Sequence, residues 1–324
     1  MTAPAPAPWT GRHDGDGPEH ARWHQVVRPA GEADASAAHL ALLGFRSDEG
    51  VRRNRGRVGA ADAPAALRRA LAPMALHGPL ARGEVGIHDL GDAVTVGTDL
   101  ERGQAEAGAL IAEALDRPGS ALGVVLGGGH ETAWASYQGL VASQSLSGKR
   151  WGVLNLDAHF DLREEVRPTS GTPFAQMAAA EAAAGRELAY LVLGIAEPSN
   201  TGVLFERARR LGVRWWTDVE CIEAGAAGIR AVVEEFAADL EVLYLTIDLD
   251  VLPAAAAPGV SAPAAYGVPV PLIEAAVRAA AGTGKLGLLD VVELNPQLDV
   301  DSRTARTAAR LIDTAARVAL DAGA

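Results

Sequence analysis

Residues 151–161 read WGVLNLDAHFD, and residues 241–250 read EVLYLTIDLD. In both stretches a mostly apolar run leads directly into aspartate, which predicts a buried strand with polar, chemically active residues just after its end. Continuous apolar runs are typical of parallel strands covered by helices on both faces, whereas strands with one face in solvent alternate. The two stretches therefore predict a parallel α/β sheet with acidic residues at its carboxyl edge.

Similar apolar runs recur along the chain, and helix-like segments separate them. The further candidate strands are 39–45, 123–127, 188–194, 213–216 and 286–292, with a weaker one near 85–89. The candidate helices are 63–72, 101–115, 174–184, 204–212, 227–240, 271–281 and 301–320. This alternation predicts a single α/β domain over residues 36–324, with three α-β-α layers and a doubly wound, mostly parallel sheet of about eight strands. Residues 1–35 are rich in Pro, Gly, Ala and charge without periodicity, and they are expected to form a partly ordered N-terminal arm.

Composition narrows the classes of partner and compartment. The chain is 48% hydrophobic and 22% charged, with a formal net charge of −12 and a pI near 5.1. Such an acidic surface disfavours binding to nucleic acid or to anionic membranes. The single cysteine, Cys221, cannot form an internal disulfide, and the sequence has neither an apolar run of about 18 residues nor a secretory signal core. These features predict a cytoplasmic enzyme with a small-molecule substrate.

Candidate metal ligands follow three of the predicted strands. His130 lies in GGHET after the strand at 123–127, DAHFD follows the strand at 151–156, and DLD follows the strand at 241–247. Because side chains alternate along extended backbone, the acidic and imidazole groups of DAHFD can share one side, as can the two aspartates of DLD. The carboxyl ends of parallel strands meet at one edge, where ligands bind. The candidate ligands are His130, Asp157, His159, Asp161, Asp248 and Asp250.

These six residues favour a pair of metal ions over a purely structural role. A lone aspartate is ordinarily a helix cap or an ion-pair partner, but like charges buried together cost several kcal/mol unless a cation neutralises them. Carboxylates with imidazole and no thiolate suit Mn²⁺ better than a structural zinc ion, and six ligands suffice for two ions with shared carboxylates. Two ions about 3.5–4 Å apart can deprotonate a water near neutral pH. The pattern therefore predicts a hydrolase with a binuclear metal centre.

Four segments extend this interpretation to a family. LGGGHET (126–132), LDAHFD (156–161), TIDLDVLPAAAAPGVSAPAAYG (246–267) and LDVVELNP (289–296) resemble the arginase, agmatinase and formimidoylglutamase family, and the resemblance covers the chain from about residue 40 to its end. It implies an arginase-like fold, a symmetric homo-oligomer and two Mn²⁺ ions. One ion would be bound by His130, Asp157, Asp161 and Asp248, and the other by Asp157, His159, Asp248 and Asp250.

The resemblance also implies catalytic roles. Asp157 and Asp248 would bridge the two ions, and the hydroxide between the ions would attack the amidine or guanidine carbon. Asp161 would hydrogen-bond that hydroxide and pass its proton to the leaving nitrogen, and Glu293 would accept the cationic head of the substrate. Arginases carry a histidine as a probable proton shuttle where an ungapped alignment of SGTPF places Phe174. Without that histidine, the proton for the leaving group would come from Asp161 or from solvent, and arginase activity is disfavoured.

Arg163 indicates an anionic substrate. It lies two residues after Asp161, where arginases use a neutral residue to contact the substrate carboxylate, and an arginine there can bind a carboxylate through two hydrogen bonds. Together with residues 9–12, 47–60 and 293–306, DAHFDLR most resembles the formimidoylglutamase branch of the family, which hydrolyses N-formimidoyl-L-glutamate to L-glutamate and formamide in histidine degradation. Ser170 and Asn200 are further candidates for substrate contact. Four arginines near the mouth could add positive potential or could be solvated or paired, namely Arg52, Arg53, Arg55 and Arg57.

Three alternatives follow from the same residues. A guanidino-acid hydrolase, an agmatinase or an arginase would share the metal centre, although Arg163 would repel cationic agmatine. A catalytically inactive homologue that binds metal or ligand would be expected to lack some of the ligands, and all six are present together with Glu293. A single-zinc deacetylase of related architecture is disfavoured, because His130 and Asp250 supply a second metal site.

Overall fold

A single parallel sheet forms the centre of the molecule. The computed structural model describes residues 9–29, 31 and 37–323, and the sheet in those residues has nine strands. The strands are β1 (Val27–Pro29), β2 (His39–Arg46), β3 (Gly86–Val94), β4 (Ser120–Leu126), β5 (Trp151–Leu156), β6 (Tyr190–Ile195), β7 (Arg214–Thr217), β8 (Val242–Asp248) and β9 (Leu286–Val292). Their order is β1-β3-β2-β4-β9-β8-β5-β6-β7, and all neighbouring pairs are parallel. The parallel sheet is confirmed, and the strand beyond the predicted eight is β1, whose three residues are too short to give a pattern.

Helices cover both faces of the sheet, which gives the predicted three layers. They are α1 (Trp23–Val26), α2 (Glu49–Arg53), α3 (Ala63–Leu71), α4 (Gly78–Ala81), α5 (Leu100–Asp116), α6 (Thr132–Ala142), α7 (Pro173–Ala183), α8 (Gly202–Arg210), α9 (Asp218–Ala237), α10 (Val270–Gly282) and α11 (Arg303–Gly323). Side chains of α3, α9, α10 and α11 join one apolar cluster, and those of α5, α6, α7 and α8 join the other. None of the helices in the described ranges combines the length and apolarity needed to cross a bilayer.

Alternating side chains connect the longer strands to both clusters. In β2, Leu40 and Leu42 belong to the cluster with α3 and α11, whereas Ala41 and Leu43 belong to the cluster with α5 and α6. All four are at most 1% exposed, because successive residues of a strand point to opposite faces and both faces are covered. Each apolar residue in such a strand therefore packs against a helix on one side or the other.

Five helices differ from the sequence prediction. The short helices α1, α2 and α4, of four or five residues each, were not predicted. Helix α6 was not predicted, because buried residues occur around most of its circumference and no amphipathic period marks it. Helix α9 begins at Asp218 rather than near residue 227. Its first turn has a capping box, in which the Thr217 hydroxyl accepts from the Glu220 backbone and the Glu220 carboxylate accepts from the Thr217 backbone. Gly225, with φ 64°, interrupts the helix and hides its continuity in the sequence.

The described part of the N-terminal arm packs against the domain. Trp23 is 1% exposed and stacks on Trp9 with 6.5 Å between ring centroids. The indole N–H of Trp9 donates to Asp89 at 2.9 Å, and that of Trp23 donates to Asp313 at 3.0 Å. Residues 1–8, 30 and 32–35 of the predicted arm and residue 36 of the predicted domain lie outside the described residues, so the division into a 1–35 arm and a 36–324 domain stays a prediction.

The four central strands of the sheet are β4, β9, β8 and β5, which are consecutive neighbours. Their carboxyl ends lead into His130, Glu293, Asp248 and Asp157, respectively. Segments that are up to about half the chain apart in sequence are thus brought to one edge by strand order, as the general rule for ligand sites in open α/β sheets predicts.

Candidate metal centre and substrate cavity

Three carboxylates surround one nitrogen of His130. Its Nδ1 lies 3.2 Å from Asp157 Oδ2, 3.0 Å from Asp161 Oδ2 and 3.1 Å from Asp248 Oδ2. His130 and Asp157 are at most 1% exposed, and Asp248 is 2% exposed. These four residues could hold one metal ion, because their ligand atoms lie within 4.8 Å of one another.

A second group shares Asp157 with the first. His159 Nδ1 lies 3.1 Å from Asp250 Oδ2 and 3.5 Å from Asp157 Oδ1. Asp157 thus offers one oxygen to each group, as the predicted bridging role requires. Asp248 faces His130 through Oδ2, and its Oδ1 accepts a hydrogen bond from the backbone of Asp250 at 2.9 Å. Its bridging role therefore stays a prediction, although it lies beside the second group.

The charges of this cluster perturb one another strongly. Burial raises the pKa of Asp248 well above its ordinary value, and the negative charges of Asp250 and Asp157 raise it further. Burial and the charge of Asp157 likewise raise the pKa of Asp161. Burial acts in the same direction on Asp157, but hydrogen bonds from His130 and His159 outweigh it and hold its pKa below the ordinary range. Carboxylates in this arrangement repel each other unless a cation lies among them.

The donor set fits a pair of divalent cations. His130 Nδ1 is buried and has no properly aligned hydrogen-bond partner in the described residues, although three carboxylate oxygens surround it. A lone pair on this nitrogen would point at the same location as those oxygens. When all four aspartates are ionised they carry four negative charges, which two divalent cations would balance. Oxygen and imidazole donors without thiolate suit a hard ion such as Mn²⁺.

A buried polar network supports His130 from behind. Its Nε2 lies 3.2 Å from the hydroxyl of Thr246, which is fully buried in β8. Beneath Thr246, Asp290 accepts hydrogen bonds from Ser136 at 2.6 Å and Tyr244 at 2.5 Å. A metal-ligating histidine usually donates its second N–H to such a partner, which fixes the ring and its tautomer. The network therefore orients His130 Nδ1 toward the carboxylates.

The 157–161 loop is held by side chains from β5 and β6 and by Asn200. The Asn155 amide donates to Asp157 Oδ2 at 2.9 Å and to the Tyr190 hydroxyl at 3.1 Å. The Asn200 amide accepts from the backbone of Phe160 at 3.1 Å and donates to the Ala158 carbonyl at 2.9 Å. These contacts position the loop, and they occupy the amide of Asn200 with backbone groups.

Phe174 packs beneath the centre and does not line the cavity above it. It is fully buried, stacks on Tyr190 with 4.4 Å between centroids and contacts the His130 ring edge-on at 5.4 Å. An apolar ring in this place braces the histidine and has no proton to transfer. The source of the proton for the leaving group, Asp161 or solvent, stays a prediction.

Two site residues adopt strained backbone conformations. Asp161 has φ 48° and Glu293 has φ 67°, in the left-handed region that is uncommon for every residue except glycine and that aspartate enters more readily than glutamate. Each such residue costs about 1–3 kcal/mol and persists only when the surrounding structure enforces it. The Glu293 backbone N–H donates to Gly128 at 2.8 Å, and its side chain accepts from the His130 backbone at 2.8 Å. The backbone conformation of these two residues thus lowers the stability of the fold and positions both carboxylates at the site.

Glu293 is a buried acid with a strongly raised pKa. The side chain is 6% exposed, and burial together with the charge of Glu131 raises its pKa to about 8. In the described residues no basic side chain forms an ion pair with Glu293. A buried carboxylate without a counter-charge favours a cationic ligand, which agrees with the role predicted for this residue.

A cavity of about 410 Å³ opens above the two groups. Of the predicted ligands, His130, His159, Asp161, Asp248 and Asp250 line it, and so do all four predicted substrate-contact residues, Arg163, Ser170, Asn200 and Glu293. No described residue accepts a hydrogen bond or forms an ion pair with the guanidinium of Arg163. The cavity therefore combines a carboxylate near its floor with an uncommitted arginine, which suits a substrate with a cationic head and an anionic tail.

The sequence did not reveal the supporting residues Asn155, Thr246 and Asp290. Each is a polar residue inside an otherwise apolar strand, and each is fully buried. A buried polar side chain must find a partner, so its presence in such a run is a usable signal for a residue behind the site. The pairing of each residue with a particular ligand still required the strand order.

The fold and this site, with its candidate metal ligands, are those of a hydrolase acting on C–N bonds of amidines. The chain belongs to the arginase family, whose model matches residues 38–317. A formimidoylglutamase of Nocardia farcinica (strain IFM 10152) is 54% identical over 309 residues, which are 95% of each chain. The formimidoylglutamase from Bacillus subtilis subsp. subtilis str. 168 has a similar fold (TM-score 0.80, 23% identity, 95% of this chain and 93% of that one). Trypanosoma cruzi formiminoglutamase with Mn²⁺ is also similar (TM-score 0.76, 25% identity, 88% and 94%).

Proposed function

We propose that this protein hydrolyses N-formimidoyl-L-glutamate to L-glutamate and formamide with two Mn²⁺ ions bound. The observation that carries the proposal is the cavity itself, which is lined by the buried Glu293, by five of the six candidate metal ligands and by Arg163, whose guanidinium has no partner among the described residues. The name of the relative that is 54% identical to the chain supports the same reaction.

The residues bind the two ends of the substrate and orient its amidine. Glu293 would accept hydrogen bonds from the amidinium, which resists attack until a carboxylate fixes it beside the nucleophile. Arg163 would bind a carboxylate of the glutamate moiety through charge-assisted hydrogen bonds. His130, Asp157, Asp161 and Asp248 would hold one cation, and Asp157, His159 and Asp250 the other, with Asp248 as the second predicted bridge.

The overall reaction adds one water across one C–N bond. When bound, the two cations would lower the pKa of a water molecule at the site to a near-neutral value. The water oxygen bonds to the formimidoyl carbon, and the bond from that carbon to the glutamate nitrogen breaks. Both protons of the water end on the departing amine, which leaves as an ammonium, and the carboxylate of Asp161, whose Oδ2 lies 3.0 Å from His130 Nδ1, is the proposed relay. The products are formamide and L-glutamate, so no redox partner is required.

Two further expectations belong to the proposal. We place the reaction in histidine degradation in the cytoplasm, where N-formimidoyl-L-glutamate is the substrate of this family branch. We also expect a symmetric homo-oligomer and a single catalytic domain over residues 36–324, with residues 1–35 as its N-terminal arm. Size measurement in solution would test the oligomer.

The decisive experiment compares substrates on one preparation. The protein is stripped of metal with a chelator, reconstituted with Mn²⁺ and assayed with N-formimidoyl-L-glutamate, 4-guanidinobutanoate, agmatine and L-arginine. Formamide release from the formimidoyl substrate should be lost on stripping and restored by Mn²⁺, and it should be faster than urea release from each of the three guanidines. Asp157→Asn, purified in parallel, controls for contaminating hydrolases of the host.

Two outcomes would contradict the proposal. Faster turnover of 4-guanidinobutanoate would identify a guanidino-acid hydrolase, which the single arginine clamp would also permit. Tight binding of two Mn²⁺ ions without turnover of any of the four compounds would identify an inactive metal-binding homologue.

A further inference from the structure

The helix α2 ends in an arginine where glycine is the usual residue. The Gly56 backbone N–H donates to Val51 at 2.8 Å and that of Arg55 donates to Arg52 at 3.1 Å, which is the hydrogen-bond pair of a Schellman cap. Arg55 occupies the left-handed position of this cap, with φ 63°. Glycine adopts that conformation without the Cβ penalty that an arginine incurs. The fold therefore retains an unfavourable residue at this turn.

The four arginines of this segment have different surroundings. Arg52 is ion-paired with Glu49 at 2.6 Å, and Arg53 is ion-paired with Glu49 at 2.9 Å and Glu101 at 2.7 Å. Arg57 donates to the carbonyls of Val260 and Ser261 at 2.7 and 2.9 Å and so fixes the neighbouring loop. Arg55 alone of the four lines the substrate cavity without a described partner for its guanidinium.

Hydrogen bonds connect the segments that carry Arg55 and Arg163. Asn54, the neighbour of Arg55, donates to the hydroxyl of Ser170 at 3.2 Å. The backbone N–H of Arg163 donates to the carbonyl of Gly171 at 2.9 Å. The two guanidinium groups therefore belong to one connected rim, and both line the same cavity of about 410 Å³.

We infer that Arg55 binds one carboxylate of the substrate while Arg163 binds the other, so that the cavity selects dicarboxylates. This inference rests on the proposed function and adds its specificity. A substrate with one amidinium and two carboxylates would pair each charged group with one residue, namely Glu293, Arg55 and Arg163. A monocarboxylate such as a guanidino acid would leave one guanidinium without a partner. The strained cap position is explained if the chain keeps arginine there for binding.

Steady-state kinetics with truncated substrates tests the assignment. The three substrates are N-formimidoyl-L-glutamate, N-formimidoyl-4-aminobutyrate, which lacks the α-carboxylate, and N-formimidoyl-L-2-aminobutyrate, which lacks the distal one. Arg55→Gly should lower kcat/KM for the dicarboxylate about 10- to 100-fold, the usual effect of losing a hydrogen bond to a charged group. Arg55→Gly should change kcat/KM less than about threefold for the truncated substrate that lacks the carboxylate bound by Arg55. Arg163→Ala should likewise have little effect on kcat/KM for the other truncated substrate.

The choice of glycine separates binding from folding. Because glycine suits the cap, Arg55→Gly should retain two metal ions and unfold at a temperature equal to or above that of the wild type. Arg52→Ala is the matched control, since Arg52 lies on the same helix end but is exposed and paired away from the cavity, and its kcat/KM should stay within about twofold of the wild type. A drop in unfolding temperature with Arg55→Gly would indicate a structural role and overturn the inference.

Other results would also overturn it. Equal effects of Arg55→Gly on all three substrates, no effect on any of them, or sparing of the same truncated substrate by both arginine variants would each contradict two separate carboxylate sites. If the wild type turns over none of the three substrates, the proposed function is wrong. The inference about Arg55 is then tested separately, by measuring the affinity for glutarate by calorimetry. Glutarate should bind the wild type at least about tenfold more tightly than Arg55→Gly, and equal affinity would refute the clamp.

Discussion

Replacement of Glu293 by glutamine separates the contribution of this carboxylate to catalysis from its effect on the free energy of unfolding. The glutamine keeps the oxygen that accepts from the His130 backbone at 2.8 Å, so metal content should not change. It removes the only proposed counter-charge of the amidinium, at a place where the side chain is 6% exposed. Removing one partner of a buried charge pair costs about 3–5 kcal/mol, which is about 10²- to 10³·⁵-fold in kcat/KM. The assay is formamide release with two Mn²⁺ ions verified by elemental analysis.

The same substitution should stabilise the metal-free protein at alkaline pH. The pKa of Glu293 rises from an ordinary 4.5 to about 8 on folding. A carboxyl group with a raised pKa favours folding fully below pH 4.5 and loses that contribution as the pH rises through 8. The difference corresponds to at most about 5 kcal/mol, at 1.36 kcal/mol for each pH unit. Urea unfolding of the metal-free Glu293→Gln variant should thus show greater stability than the wild type at pH 8.5 and nearly equal stability at pH 5.

Both measurements can refute the reasoning. A kcat/KM within tenfold of the wild type would mean that Glu293 does not bind the amidinium. Lower stability of the variant at pH 8.5 would mean that the carboxylate supports the fold and is not held against its electrostatic preference. Glu187→Gln is the matched control, because Glu187 is exposed near the amino edge of the sheet before β6 and should change neither quantity.

Three further predictions concern the metal centre. Asp157→Asn should abolish activity and lower the occupancy of both metal sites in elemental analysis, because Asp157 is the one described residue common to both ligand groups; retention of two tightly bound ions would contradict that sharing. Thr246→Val should weaken Mn²⁺ binding about 10- to 100-fold by removing the acceptor behind His130, and unchanged affinity in a chelator competition would show that the 3.2 Å contact does not orient the ring. Mn²⁺ binding near neutral pH should release protons, because burial and neighbouring negative charge raise the pKa values of Asp161 and Asp248. Calorimetry in buffers of different ionisation enthalpy would measure this proton release, and a binding enthalpy independent of the buffer would contradict it. The affinity of the protein for Mn²⁺ should fall as the pH is lowered.

Sequence patterns predicted the strands well because each strand is a short, local signal. The boundaries of β5 and β9 match the apolar runs WGVLNL and LGLLDVV residue for residue. Helix α6 was missed because its buried residues surround the axis, and strand β1 was missed because it is short and exposed at two of its three positions. Both gain their stability from tertiary contacts rather than from a local period.

The candidate site was predictable to different depths. Ligand types and strand ends are local properties, so the gathering of His130, Asp157 and Asp248 followed from a parallel sheet once its order was known. The groups with which an arginine pairs cannot be predicted from its neighbours in the sequence. Arg53 pairs with Glu101, 48 residues away, and Arg57 binds carbonyls more than 200 residues away, while Arg55 between them lines the cavity.

The sequence by itself determined the chemistry of this protein, because residue type sets which ions a side chain can bind and apolar runs set where the strands end. Only the tertiary structure decided how those groups are used. It placed Asp157 in both candidate ligand groups, gave His130 its support from Thr246, and left the guanidinium groups of Arg55 and Arg163 without partners among the described residues. The physical reason is that charge pairing and hydrogen bonding act over a few ångströms in space, and distance in space between remote segments is fixed only when the strands assemble.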